Sequence, residues 1–445
     1  MFTYVKLKNF LSFRDITFDF KRSGSNVKDF VAIYGENGSG KSNFVQSFDF
    51  LWHTLTSFDN DKWFEKLSNI LKDNKDGYPN EILQHFLLSS DYLHYISQFH
   101  MIDCNEPTEV EYGFLLNGKE GIYKLSFDER FRQESLYYLT GKQRGYLFTI
   151  NVNDEGAISF QFYSKLFRNE KVREEMIDEI LKYWGKHTFL AILFKNIHEK
   201  NENYIKENFS EYVLSVIDML EDISIINKKT NRSVSQIVSI KNSSLLPELR
   251  NGIISKSDLS LLKKTEMILS SFFTQSYADI KNVRYETEKT EEDKIKYQLY
   301  MDKMIAGKVR TISIENESAG TQQVLNIVRT ILGLFCGVTV IYDEIDNGIH
   351  DILLSQIIHS LKGKITGQFI ITTHNTLLME EMDPHSAYVI QVDYKGDKEV
   401  HCVADYAVQN NNNIRVKYLK GAFGGTPYVD GIDYGEIMQE LKEEK

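Results

Sequence analysis

The chain contains very few cysteines: Cys104, Cys336 and Cys402 are the only three among 445 residues. They are isolated from one another and odd in number, so the sequence offers neither a disulfide framework nor a Cys-x-x-Cys zinc site. This shortage excludes a small secreted fold that depends on disulfides, and it also excludes a zinc hook.

Long apolar runs are missing as well. The most apolar region, residues 324–342, is interrupted by Asn326 and Arg329, and the first residues lack a charged segment followed by an apolar one. This pattern predicts neither membrane insertion nor secretion, and we expect a cytoplasmic protein. With 42% hydrophobic and 26% charged residues, the chain can bury a large core in more than one lobe.

Positive charge is scarce, with 52 Lys and Arg residues against 63 Asp and Glu and a net charge of −11. This balance disfavours a general nucleic-acid binder, because neutralising phosphates requires clustered lysine and arginine. Small groups such as Lys362 with Lys364, or Arg415 with Lys417 and Lys420, leave local DNA contacts open but are more typical of solvated surface. An acidic surface suits a basic protein partner equally well.

One glycine-rich segment stands out. Residues 35–43 read GENGSGKSN and match the phosphate-binding pattern G-x-x-x-x-G-K-[ST] at every required position. Residues 30–34 before it are an apolar run typical of a buried strand, and residues 43–53 after it repeat apolar side chains at helical spacing. A strand, a glycine loop and a helix in this order predict a nucleotide site; a glycine-rich turn without a ligand is the alternative.

The residue types of this loop suit the phosphates of a nucleotide. Glycines let successive backbone N–H groups turn toward phosphate oxygens, and the N-terminus of the following helix adds a favourable field. We expect Lys41 to reach the β- and γ-phosphates and Ser42 to ligate a magnesium ion that bridges them. The predicted nucleotide contacts in the loop are Gly35, Asn37, Gly38, Ser39, Gly40, Lys41, Ser42 and Asn43.

Two adjacent carboxylates follow an apolar run much later in the chain. Residues 337–344 predict a buried strand that ends in Asp343 and Glu344, as a Walker B strand does. We expect Asp343 to hold the magnesium ion, directly or through water, and Glu344 to polarise the water that attacks the γ-phosphate. A strand that simply ends in acidic turn residues is the alternative.

Between these motifs, residues 315–323 lead into a helix with a wide apolar face. Its start carries Ser318, Gly320, Thr321 and Gln322. A hydroxyl and free N–H groups at a helix start form an anion site, yet the chain has no second phosphate loop to supply the anion. We therefore expect the γ-phosphate of another copy there, while a plain helix cap at Ser318 is an equally good interpretation.

Three further polar residues complete the set of candidates. His374 ends the next apolar strand, residues 368–375, where it would contact the γ-phosphate, although a lone histidine at a strand end is usually structural. Asp346, just after the acid pair, would reach a partner's site, and His350 has no assigned role. Gln98 is a weak candidate for a glutamine that senses the metal.

The order of phosphate loop, serine-glycine signature, Walker B strand and histidine resembles that of ABC-type ATPases of the SMC and OLD lineage. The likeness covers roughly the first fifty and the last hundred and thirty residues. Residues 1–13 look like the first strand of that group, and residues 418–427 are similar to a tail in ATPase subunits of bacterial anti-phage modules such as PARIS and Septu. The signature SAGTQ departs from the SGGQ of transporter relatives.

This resemblance implies an α/β ATPase head that is built from both chain ends, with an inserted helical lobe. We expect residues 1–165 as the first lobe, 166–275 as the helical lobe and 276–445 as the second lobe. Charged helical periodicity over residues 167–229 and strand-like alternation over 109–127, 146–162, 277–286 and 294–314 agree with this division.

The resemblance also implies a function. Two copies, or a larger homo-oligomer, would bind ATP with Mg²⁺ between the phosphate loop of one copy and Ser318 of the other. Hydrolysis would then release a separate effector, a nuclease or toxin, after a phage-derived trigger. An OLD-type ATPase with its own nuclease and a RecF-like DNA-repair clamp are alternatives. Against the nuclease, only about seventy residues follow His374, and they contain no second acidic cluster at metal-site spacing.

Overall fold

A computed structural model describes residues 1–22, 26–59, 61–62, 92–138, 145–153, 155–227, 245–290, 294–406, 413–427 and 434–443. These residues form a mixed α/β fold. The strands are β1 (Phe2–Phe10), β2 (Phe13–Asp19), β3 (Phe30–Gly35), β4 (Thr108–Leu116), β5 (Lys119–Phe127), β6 (Phe131–Tyr138), β7 (Tyr146–Val152), β8 (Ile158–Phe162), β9 (Ile223–Ile226), β10 (Asn251–Ser255), β11 (Ile280–Lys289), β12 (Lys294–Ile305), β13 (Lys308–Ser313), β14 (Thr339–Tyr342), β15 (Gln368–Thr372), β16 (Ala387–Val392) and β17 (Lys398–Cys402).

The helices of the described residues lie mostly between or after these strands. They are α1 (Lys41–Leu55), α2 (Tyr92–Ser97), α3 (Glu170–Tyr183), α4 (Phe189–Glu199), α5 (Glu202–Asn208), α6 (Glu211–Glu221), α7 (Leu259–Ser276), α8 (Ala319–Phe335), α9 (Asp351–Leu361), α10 (Leu378–Glu381), α11 (Ile414–Leu419) and α12 (Tyr434–Glu443). No helix in the described ranges is long and apolar enough to cross a membrane.

A six-stranded sheet carries the residues of the predicted site. Its strand order is β17-β16-β3-β15-β14-β9. Strands β9, β14, β15, β3 and β16 run parallel, and β17 pairs antiparallel with β16 at the edge. Strands β14 and β15 are buried along their whole length, which explains why their sequences are mostly apolar and do not alternate with polar residues. Because β3 lies beside β15 and β16, the predicted head built from both chain ends is confirmed.

A seven-stranded antiparallel sheet, ordered β2-β1-β4-β5-β6-β7-β8, packs beside it. The predicted alternation over residues 109–127 and 146–162 is confirmed as the hairpins β4–β5 and β7–β8. Helices α3, α4 and α6 share a hydrophobic core with this sheet and with α1. Each of α3 to α6 begins after an N-cap side chain that accepts a hydrogen bond from the first turn: Asn169, Thr188, Asn201 and Ser210.

The helical segment does not stay separate from the central sheet. After α6 the chain forms β9, which pairs with β14 and lies at the edge of the parallel sheet. This strand has only four residues, three isoleucines and one serine, and so short a segment cannot be distinguished from a helix end by periodicity. Helices α3 to α6 lie within the predicted helical stretch 167–229, but the prediction is wrong for residues 223–226, which form β9. The boundaries of the three lobes stay predictions.

A third sheet contains β10, β11, β12 and β13. The predicted hairpin of residues 277–286 and 294–314 is confirmed as β11 paired with β12, but the second segment is two strands. Ala306 and Gly307 have φ of 50° and 75°, the left-handed angles of a two-residue hairpin turn. Alternation continues through such a short turn, so the sequence pattern did not reveal the division.

The buried carboxylate of Glu134 links the antiparallel sheet to the start of α4. It accepts hydrogen bonds from Trp184 Nε1 at 2.8 Å, from Tyr123 Oη and the Leu190 N–H at 3.0 Å, and from the Phe189 N–H. Burial raises the pKa of Glu134, and the four donors oppose this change. The side chain thus supplies the acceptors that a helix N-terminus needs.

We expect Glu134→Ala to lower the free energy of unfolding by about 3 kcal/mol or more, because it leaves several buried donors without an acceptor. Urea unfolding followed by circular dichroism measures this change. Glu129→Ala, at an exposed position near the start of β6, should change stability by less than about 0.5 kcal/mol. Equal effects of the two substitutions would contradict the structural role of Glu134.

Candidate functional site

The phosphate loop joins the end of β3 to the start of α1. Two of its glycines have left-handed backbone angles, with φ of 82° at Gly38 and 104° at Gly40. A Cβ atom on Gly40 would lie 2.7 Å from ring carbons of Phe13. The loop depends on glycine at this position, because other residues rarely adopt such an angle and no space remains for a side chain.

Lys41 folds back over the loop, and its side chain is buried. Its Nζ donates to the carbonyl oxygens of Gly35 at 2.8 Å and Glu36 at 3.0 Å. Burial lowers the pKa of Lys41, and the negative charges of Asp343 and Glu344 oppose that change. The cation therefore lies at the loop and within the field of the two acidic residues.

The hydroxyl group of Ser39 is fully buried within the loop. Among the described residues, its Oγ has no hydrogen-bond partner, while its backbone N–H donates to the Glu36 carbonyl at 3.2 Å. Buried hydroxyl groups without a partner are uncommon in folded proteins. This unsatisfied atom fits a loop that is shaped around a polar ligand.

The other loop residues differ in exposure. Asn37 is exposed, whereas Ser42 and Asn43 are half-buried in the first turn of α1. Asn43 Nδ2 donates to Ser12 Oγ at 2.6 Å, and Ser12 lies in the turn between β1 and β2. The role of Ser42 as a magnesium ligand stays a prediction, and Asn43 connects the loop to the segment between β1 and β2.

The acid pair directly follows β14. Thr372 Oγ1, at the end of β15, donates to Asp343 Oδ1 at 2.6 Å and accepts from the Glu344 N–H at 2.8 Å. Asp343 is buried, and Glu344 has a left-handed φ of 47°, which is unusual for a residue other than glycine. One hydroxyl therefore contacts the carboxylate of Asp343 and the backbone of Glu344. Sequence reasoning missed Thr372, whose only signal is a polar residue at the end of an apolar strand.

His374 lies at the same edge of the sheet, because β15 runs parallel to β14 and β3. Its backbone N–H donates to Asp346 Oδ2 at 3.2 Å. Burial lowers the pKa of His374, the positive charge of Lys41 lowers it further, and nearby carboxylates oppose both effects. The net effect favours the neutral imidazole. Asp346 contacts His374 within its own chain, and its predicted reach to a partner stays a prediction.

His350 caps α9, since its Nδ1 accepts a hydrogen bond from the Ile352 N–H at 3.3 Å. This contact accounts for a residue to which the sequence assigned no role. The histidine is exposed, and the cap explains why the helix starts immediately after it.

Ser318 caps α8, with its Oγ accepting from the Thr321 N–H at 3.1 Å. The side chain of Gln322 donates to the carbonyl oxygens of Glu315 at 3.2 Å and Glu317 at 3.1 Å. Thr321 is buried, whereas Ser318 is exposed. Among the described residues, no hydrogen bond or ion pair joins this helix start to the phosphate loop of the same chain.

Gly320 packs closely against the turn that follows the acid pair. A Cβ atom on Gly320 would lie 2.8 Å from the carbonyl oxygen of Gly348. Only glycine permits this approach without displacing the backbone. The signature glycine thus has a packing role within the chain, and its contact with a nucleotide stays a prediction.

Gln98 is exposed and follows α2. The next residue, Phe99, accepts a hydrogen bond at its carbonyl oxygen from the Leu11 N–H at 2.8 Å. In the described part of the chain, no hydrogen bond joins Gln98 to Ser42 or Asp343. Its role as a metal ligand stays a prediction.

The glycine-rich tail lies against the phosphate loop. A Cβ atom on Gly425 would be 2.4 Å from Val389 Cγ1 and 3.5 Å from the Cα atom of Gly35, and Tyr418 Oη donates to the Gly425 carbonyl at 3.0 Å. Gly425 has a left-handed φ of 67°. The segment singled out in the sequence is therefore packed beside the loop, with glycine where the two backbones meet.

Residues 30–380 match the family model described as "AAA domain, putative AbiEii toxin, Type IV TA system". The chain belongs to this family. Membership of an AAA-domain family agrees with the phosphate-loop ATPase that the sequence predicts. Among curated proteins, none matches the chain in sequence.

Two solved structures resemble this AAA-domain protein at low sequence identity. One is the SMC head bound to the C-terminal winged-helix domain of ScpA, with 15% identity, a TM-score of 0.42, and coverage of 90% of this chain and 96% of that one. The other is the SMC head domain from Thermotoga maritima, with 14% identity, a TM-score of 0.37, and coverage of 90% and 98%. The fold assignment rests on the strand order and loop positions described above.

The residues predicted to hold magnesium in this AAA-domain protein are few. Among the described residues, no three or more His, Cys, Asp or Glu side chains are grouped to hold a metal ion. Magnesium in phosphate-transfer sites takes one or two protein ligands and completes its octahedron with water and phosphate oxygens. The hydroxyl of Ser42 and the carboxylate of Asp343 are the donors that fit this arrangement.

Proposed function

We propose that this protein binds and hydrolyses ATP with magnesium. The observation that carries the proposal is the convergence of charges at one edge of the central sheet. Lys41, held on the phosphate loop, is coupled electrostatically to Asp343, Glu344 and His374, which follow two neighbouring parallel strands. Ligands of open α/β sheets bind at this carboxyl edge.

Each residue then has a defined part in the reaction. Lys41 exchanges its carbonyl partners for the β- and γ-phosphate oxygens, and the buried Ser39 hydroxyl gains a phosphate acceptor. Ser42 and Asp343 would hold magnesium, which neutralises charge on the departing phosphoryl group. Glu344, fixed through its backbone by Thr372, accepts the proton of the attacking water. His374, at the same edge of the sheet, would form a hydrogen bond to the γ-phosphate.

We further propose that the γ-phosphate is shared between two copies. The N-terminus of α8 exposes Ser318 at the surface, and α8 is 17 residues long, so its dipole favours an anion there. Because that end has no hydrogen bond to its own phosphate loop among the described residues, the nucleotide of a second copy is the anion it suits. ATP would then join the copies, and hydrolysis would separate them.

The cellular role we propose is anti-phage defence, in which ATP-dependent assembly holds or releases a separate nuclease or toxin. The support is the tail of residues 418–427, which is similar to that of stand-alone defence ATPases, together with the toxin–antitoxin system that the family description names. This ATP-dependent assembly would respond to a phage-derived trigger.

Light scattering tests the shared site. We expect Glu344→Gln protein, which should retain ATP, to shift from the mass of one chain to at least twice that mass when ATP and magnesium are added. A second substitution, Ser318→Asp, introduces a negative charge at the anion site and should prevent the shift, while calorimetry should still detect ATP binding to the single chain.

A constant mass in protein that binds ATP would contradict the shared site. The same conclusion would follow if Glu344→Gln/Ser318→Asp protein still assembled as fully as Glu344→Gln protein. Circular dichroism of both variants checks that each is folded.

A further inference from the structure

A second lysine lies beside the phosphate loop. Lys398, the first residue of β17, is half-buried and donates from Nζ to Ser12 Oγ. Its Nζ is 5.7 Å from the centre of the Phe13 ring, and its Cδ is 3.5 Å from the position that a Cβ on Gly40 would take. The side chain therefore passes directly along the glycine that precedes α1.

Lys398 has no acidic partner among the described residues. The neighbouring carboxylate of Asp397 pairs instead with Arg14, at 2.9 Å. Burial lowers the pKa of Lys398, and no carboxylate opposes the change. A half-buried ammonium group whose only hydrogen-bond partner is a hydroxyl is unfavourable, because desolvation is not compensated by an opposite charge. The position suits an anion that arrives with a ligand.

The sheet order indicates which anionic group of the ligand would lie near Lys398. β14, which leads to Asp343 and Glu344, is two strands from β3 on one side, and β17 is two strands from β3 on the other. Neighbouring strands lie about 4.8 Å apart, so β14 and β17 are each roughly 10 Å from β3, the strand that leads into the phosphate loop. Lys398 pairs with Val392, the last residue of β16, and is therefore at the same edge as the phosphate loop.

We propose that Lys398, supported by Ser12, binds the α-phosphate of the nucleotide. The inference rests on the proposed ATP site, in which Lys41 binds the β- and γ-phosphates and Asp343 would hold the magnesium ion. The phosphate chain then extends away from β14, across Gly40, toward β17. Asn43, whose amide also contacts Ser12, adds a third polar side chain beside Lys398 and Ser12. Lys398 thus distinguishes a nucleotide from a ligand that occupies only the γ-phosphate position.

Calorimetric titration of the full chain with magnesium-ATP and magnesium-ADP tests this assignment. We expect Lys398→Met, which retains the apolar stem beside Phe13, to weaken both nucleotides by about ten-fold, the loss of one charge-assisted hydrogen bond. Lys398→Arg should restore most of the affinity. Lys395→Ala removes an exposed lysine from the same hairpin and should leave both affinities unchanged. The parent affinity should also fall more steeply with salt than that of Lys398→Met.

Equal affinity in Lys398→Met and the parent, with binding lost in Lys41→Ala, would overturn the inference and leave the ATP site standing. A similar loss in Lys398→Met and Lys395→Ala would also overturn it, because the effect would then be one of net charge. If the parent itself bound neither nucleotide, the proposed function would fail instead.

Discussion

Lys41→Ala is expected to abolish tight ATP binding. The parent side chain is buried on the loop and holds two carbonyl oxygens with its Nζ. In the complex it would form charge-assisted bonds to phosphates in a site shielded from water, where each is worth about 1.5–3 kcal/mol. Loss of two such bonds weakens affinity by about a hundred-fold or more.

Isothermal calorimetry with magnesium-ATP measures this effect, and Lys395→Ala again serves as the control for charge. Removing Lys41 also removes a buried cation, so the fold should be intact and its thermal stability close to that of the parent. Unchanged ATP affinity in Lys41→Ala protein would mean that the loop does not bind phosphate as proposed.

Glu344→Gln should slow ATP turnover by about a hundred-fold or more, because it removes the base that accepts a proton from the attacking water. The amide has nearly the same shape, and the Glu344 backbone stays held by Thr372 through the hydrogen bond at 2.8 Å. ATP affinity should therefore remain close to that of the parent. Phosphate release at saturating ATP measures turnover, and calorimetry measures binding.

Glu155→Gln, on the exposed turn between β7 and β8, is the matched control and should hydrolyse ATP at the parent rate. A Glu344→Gln protein that turns over like this control would show that the residue is not the base. If the substitution instead removed ATP binding, Glu344 would have a role in holding the nucleotide.

Much of the fold around the site could be predicted. Residues 30–34 and 43–53 gave correct positions for β3 and α1, because an apolar run and helical periodicity are properties of contiguous residues. The edge strand β9 could not be predicted, since a segment of only four residues acquires a strand conformation when it pairs with β14. The turn at Ala306 was missed for a related reason: the alternation of apolar and polar residues continues through a two-residue turn and so does not reveal it.

The sequence by itself determined the chemical inventory of this protein: a phosphate loop at residues 35–43, adjacent acids at Asp343 and Glu344, and a histidine after the next strand. Each is a short pattern that is recognised from its residue types and their spacing along the chain. Tertiary structure alone decided that Thr372 contacts both acidic residues and that Lys398 lies beside Gly40. These residues are distant in sequence and meet only because parallel strands bring their carboxyl ends to one edge of the sheet, where β17 folds back beside them.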